Sequence, residues 1–180
     1  KMPFVGKACE AAGPGSYSRI TPFNGNWILL EPSSDTIYTL MPDCSLRPFI
    51  ARTPPIHTMD PEVFLIPRLI SNRYYFMEGI KNVYDFKKEE GFPKTYFVYD
   101  TQEKEFSRYI IYNGDYTSKN EFYMVMLTPI NAQGESWATL NAFDLCRDYQ
   151  KGKLKGKLKE VAATLEEDDN RVVMLVKSKK

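Results

Sequence analysis

Alternating apolar and polar positions, rather than helical periodicity, dominate most of the chain. Val63–Ile66, Arg73–Ile80, Lys94–Tyr99, Phe106–Tyr112, Phe122–Leu127 and Ser136–Asn141 are short runs rich in Tyr, Phe, Val and Ile. Such residues fit the half-buried, pleated surface of a strand. Turn-forming segments separate the runs, and the short spacing favours antiparallel hairpins. Trp27–Glu31 and Cys44–Arg52 bring the expectation to about eight strands in one domain, an up-and-down barrel or a sandwich. Six prolines between Met41 and Pro67 require any strand there to be short, interrupted or at an edge, because proline cannot donate to a ladder. The pattern changes after Asp144. Leu154, Leu158, Val161 and Leu165 recur at helical spacing, an acidic turn follows, and Val172–Val176 reads as a last strand.

Composition narrows the classes. The 180 residues are 43% hydrophobic and 26% charged, ordinary globular usage, and 24 Lys+Arg against 23 Asp+Glu lack the basic excess of a nucleic-acid binder. No apolar run approaches the roughly 20 residues of a spanning helix. The chain starts at Lys1 without an apolar leader, so the expectation is that any secretory signal has been removed or lies outside this sequence. Three cysteines, Cys9, Cys44 and Cys146, match neither a disulfide scaffold nor zinc spacing. They allow one bridge, with Cys9 joined to Cys44 or Cys146, and one spare thiol. The single histidine, His57, reads as a surface loop residue, and no metal site or cofactor is expected.

Gly25-Asn26-Trp27 before the first strand, Asn113-Gly114-Asp115-Tyr116 88 residues later, Arg73–Gly79, and the final helix with its acidic turn and strand together resemble the lipocalins. The nearest pattern is that of the bilin-binding and apolipoprotein-D-like members. The resemblance covers about Cys9 to Val176. It implies an eight-stranded antiparallel barrel across 25–143 in a single domain, residues 1–24 crossing its floor, and 144–180 supplying an outer helix and short strand. Gly25, Trp27, Asp115 and Tyr116 would seal the floor. Strand parity would then turn Tyr75, Met77, Phe97, Tyr99, Ser107, Tyr109, Ile111, Met124 and Met126 inward and leave Glu78 in solvent. The expected function is non-catalytic carriage of a small hydrophobic ligand: a fatty acid, a sterol or other lipid, or a haem-like tetrapyrrole. The expected location is outside the cell or in a secretory or vacuolar lumen.

Two alternatives stand beside it. One is a scaffold or oligomeric interaction protein with a packed barrel, and the other a lipid isomerase or synthase using an inward cysteine. Five lysines between Lys151 and Lys159 could touch an anionic surface, or form a solvated face balanced by the nearby acids.

Overall fold

The computed structural model describes residues 20–131, 133 and 135–177. Strand β1 (Ile20–Phe23) turns back through Asn24-Gly25 into β2 (Asn26–Leu29), and β3 (Thr36–Leu40) and β4 (Leu46–Ala51) complete a four-stranded antiparallel meander. The β1–β2 turn has φ of 49° at Asn24 and 74° at Gly25. Asn-Gly tolerates this pair of positive φ values, and the resulting turn matches the twist of the flanking strands. Gly25 is therefore a hairpin residue and not the passage of a segment beneath a barrel.

The second sheet, in the order β10-β9-β6-β5, is built from β5 (Val63–Ile70), β6 (Tyr74–Lys81), β9 (Lys94–Asp100) and β10 (Glu105–Arg108). A small ladder of β7 (Tyr84–Asp85) and β8 (Glu90–Gly91) is inserted after β6. Then come the pair β11 (Ile111–Tyr112) and β12 (Glu121–Phe122), a 3-10 turn at Met124–Met126, and a three-stranded sheet of β13 (Thr128–Pro129), β14 (Ser136–Leu140) and β15 (Val172–Val176). Helices α1 (Ala142–Gln150) and α2 (Gly156–Ala162) lie between β14 and β15 in sequence.

Among the described residues the chain is mostly β, but its strands form five separate sheets and none closes into a barrel. The expected eight-stranded barrel is thus corrected. Edge chemistry accounts for part of the difference. Pro22, Pro48, Pro67 and Pro129 sit in β1, β4, β5 and β13, each the edge strand of its sheet. Proline there ends pairing that a closed barrel would need to continue.

Two compact units divide the chain: 1–66 with 79–94, and 67–78 with 95–180. Within the first, Ile28 and Ile37 project from one face of the β1–β4 sheet and are almost fully buried. Within the second there are two clusters. Leu69, Met124 and Leu127 pack with Phe76, Tyr109, Ile111, Ala138 and Met174, and Leu145, Leu154, Leu158 and Ala162 pack with Tyr116, Leu140 and Val172.

Helix α1 was not expected from sequence. Its start is set by Asn141, whose Oδ1 accepts the Phe143 N–H at 3.0 Å, and Ala142, Leu145 and Cys146 bury one stripe of it. Helix α2 lacks a cap of its own. Asp115 supplies one from 43 residues away, its Oδ2 accepting the Leu158 N–H at 3.1 Å. Gly156 has φ of +57°, and a Cβ there would lie 2.6 Å from Asp115 Oδ1. Only glycine lets the helix start this close to the carboxylate.

Candidate functional site

Register places Pro22, Trp27, Leu40 and Leu46 in one cross-strand row of the first sheet, and Ile20, Leu29, Tyr38 and Pro48 in the next row of the same face. These eight residues contain no charge. Opposite them, Ile28 and Ile37 take the buried face, so Trp27, Ile20 and Leu46 point away from the core; they are 48%, 56% and 54% exposed. Large aliphatic and aromatic groups normally occur singly on a surface, and a continuous uncharged sheet face is the exception.

The last sheet exposes apolar groups beside an ion pair, Lys177 Nζ lying 2.7 Å from Glu135 in the row next to Trp137 and Leu175. Thr128, Trp137 and Leu175 are cross-strand neighbours, as are Thr139 and Val173, which puts all five on one face. Leu175 is 64% and Val173 59% exposed. The other face presents Ala138, Met174 and Val176 to the Leu69–Met124–Leu127 cluster.

The expected barrel residues fall in several environments. Trp27 is half exposed rather than buried in a floor. Met126 is 69% exposed, on a 3-10 turn rather than a strand, whereas Met124 on that turn is buried. Met77 and Glu78 are both buried, because β6 is a central strand with both faces covered; Arg68 grips Glu78, its Nε donating at 2.8 Å. This corrects the solvent placement of Glu78. Tyr75 packs against Tyr99 at 5.9 Å, and Phe97 stacks on exposed Phe106 at 5.0 Å. Ser107 donates to Glu105, and Ile111 joins the Leu69 cluster.

Tyr109 lies in an aromatic column with Phe76 at 5.3 Å and Tyr96 at 6.1 Å, and Tyr96 meets Tyr123 at 4.9 Å. The Tyr109 hydroxyl is buried without a well-formed hydrogen bond. Burial, helped by Tyr96 and Glu78 and opposed by the Met124 backbone, pushes its pKa up to about 12. The column is a packed core element, since its rings fill the space between strands.

Asp115 and Tyr116 dock the helices instead of sealing a barrel. Lys155 N–H donates to the Asp115 carbonyl at 2.7 Å, and the Tyr116 hydroxyl donates to Asp148 at 3.2 Å. Tyr116 is raised in pKa by burial and then by Asp148. A cleft of about 390 Å³ opens beside it, lined by Tyr116, Thr139, Leu140, Asn141, Asp144, Leu145 and Arg171. Asp144 is engaged by Arg147 at 2.8 Å.

Cys44 is an exposed thiol and Cys146 a buried one; neither forms a disulfide, so the expected bridge is absent from both candidate partners, and Cys9 lies outside the described residues. His57 is 78% exposed, with Nδ1 3.9 Å from Asp35. Of the lysine run, Lys153 faces Asp148 and Lys157 faces Glu160. Among the described residues no cluster of His, Cys, Asp and Glu could hold a metal, and no helix is long and apolar enough to cross a membrane.

Sequence reasoning missed this exposed face because it treated Trp27 as a core residue. A signal was present: Trp27-Ile28-Leu29-Leu30 is apolar at both parities, so whichever face of the strand is not the core is apolar as well. The cleft had no such signal, since its residues come from a turn, β14, the start of α1 with its Asn141 cap, and Arg171 just before β15.

No family model matches the chain, and no curated protein matches it in sequence. A solved structure of a "Putative exported protein" from Bacteroides fragilis NCTC 9343 is similar in fold, with a TM-score of 0.58 at 14% identity over 89% of this chain. The chain spans about half of that protein, 49% of its length.

Proposed function

We propose that this chain is a non-catalytic assembly module that acts outside the cytoplasm and docks β-sheets through the outward face of β1–β4. The observation that carries the reading is the uncharged face of eight residues, with Ile20, Trp27 and Leu46 each about half exposed. In water such a face costs free energy in proportion to its apolar area, roughly 25 cal/mol per Å², and covering it recovers that cost. The ligand-carrier reading has no barrel cavity to rest on, whereas the interaction reading needs only surfaces the sheets already present. Export is supported by the name of the similar Bacteroides protein.

The test is a fluorescent apolar-surface dye with Trp27→Lys and Leu46→Lys. Expected are dye binding by the unmodified chain, reduced binding by both variants, and circular dichroism melts within about 0.5 kcal/mol of the parent, the range of surface substitutions. Variants that unfold would show that the face is core and would overturn the proposal.

A further inference from the structure

The cleft beside Tyr116 belongs wholly to the second unit, and the assembly role makes no use of it. Its volume of about 390 Å³ lies within the span of small-molecule sites, roughly 300–1,000 Å³.

Register brings donors together there. Leu140 and Val172 form the last rung of the β14–β15 ladder, so the next residues outward are Asn141 on one side and Arg171 on the other. Asn141 keeps an extended backbone, φ −77° and ψ 130°, and the strand's alternation therefore runs through it. Thr139 and Asn141 thus share a face at the end of the sheet, with Arg171 across from Asn141.

Each of these three residues has a donor to spare. Asn141 commits its Oδ1 to the Phe143 N–H, which leaves its Nδ2 hydrogens. The Thr139 hydroxyl and the Arg171 guanidinium have no partner among the described residues. Asp144 is the one acid in the lining, and Arg147 holds its Oδ1 at 2.8 Å. The cleft therefore carries a cation without a counter-ion and more donors than acceptors.

The rest of the wall is apolar and fixed in place. Leu145 is a buried member of the cluster on which Leu140 and Tyr116 pack, and the Tyr116 hydroxyl is tied to Asp148 at 3.2 Å. A guanidinium beside an amide and a hydroxyl matches the acceptor oxygens of a carboxylate. Inorganic anions would leave the leucines and the ring unused.

We infer that this cleft binds a small organic carboxylate, its charged end on Arg171, Asn141 and Thr139 and its apolar end against Leu140, Leu145 and the Tyr116 ring.

An amide-resolved NMR titration of the full chain with phenylacetate, and with its neutral analogue phenylacetamide, tests this. Expected are saturable shifts at Asn141, Leu145 and Arg171 with phenylacetate, and binding of phenylacetamide weaker by about tenfold, the scale of one charge-assisted hydrogen bond. Arg171→Gln should weaken phenylacetate about tenfold and leave phenylacetamide unchanged, whereas exposed Arg108→Gln should alter neither. Because Arg171 lies outside any helix or strand, signals far from the cleft should stay in place in the variant and show that it is folded. Absence of saturable shifts, equal binding of the two probes, or indifference to Arg171→Gln overturns the inference. Inorganic phosphate that displaces phenylacetate at equal concentration also overturns it, by showing a site for any anion. These outcomes leave the reading of the β1–β4 face to its own dye experiment.

Discussion

Strands β2 and β6 are both central strands rich in large apolar side chains, in opposite circumstances. β6 is central in the second sheet and has both faces covered, to the point that Glu78 is 1% exposed and held by Arg68. β2 is central in the first sheet, yet one face buries Ile28 and the other leaves Trp27 half exposed. An apolar strand therefore does not reveal by itself whether its second face is already covered. The charged residue on β6 makes the same point in reverse: a glutamate at an expected solvent position is an interior group, 1% exposed and paired with Arg68.

Glu78→Ala gives the largest expected effect. It leaves the Arg68 guanidinium without its carboxylate in a largely covered site, and loss of one partner of a buried pair typically costs about 3–5 kcal/mol. Urea denaturation should show a correspondingly lower midpoint; a loss below about 1 kcal/mol would mean that β6 is solvated like a surface strand.

Next in size is the contrast between adjacent residues of β2. Ile28→Ala should cost about 2–4 kcal/mol through lost burial and a cavity. Trp27→Ser should change stability by less than about 0.5 kcal/mol, as surface positions do. Equal losses in the same denaturation experiment would break the distinction between the two faces.

Alkaline titration sharpens the picture of the second unit's interior. Tyr109 holds its proton up to about 12 in the folded chain, against an ordinary value of 10.0. The folded state thus binds more protons than the unfolded one between these values, so the Tyr109 contribution is intact below about pH 10 and is lost as pH rises toward 12. Tyr109→Phe should remove the last-ionising component from the absorbance titration near 295 nm and flatten that part of the stability profile.

The smallest effect concerns reactivity rather than stability. Cys44 is exposed in the loop before β4, whereas Cys146 is buried on α1, its thiol raised by burial and by Glu167 and Asp169. A thiol reagent should label Cys44 rapidly and Cys146 only under denaturing conditions. Equal rates would show that the α1 stripe is not closed.

By itself the sequence determined the strands more than their association. Val63–Ile70, Tyr74–Lys81, Lys94–Asp100, Ser136–Leu140 and Val172–Val176 are set by local alternation and turn chemistry, and all five lie where the pattern placed them to within a few residues. The second helix announced itself through Leu154 and Leu158. Helix α1 was legible in principle, with Asn141 as cap and a buried stripe behind it, but the expected strand ran into Asn141 and hid it.

Tertiary structure alone decided the rest. Whether strands close into a barrel or stop as separate sheets depends on pairings between distant segments, and prolines on four of the edge strands end some of those pairings. Asp115 became the cap of a helix 43 residues away, a role no local spacing encodes. Trp27, the residue on which the resemblance to a barrel most depended, faces outward because the Asn24-Gly25 turn and the register of β1 to β4 give the inner face to Ile28 and Ile37. Alternation along a strand defines two faces, and only the layer packed against them determines which one is the core.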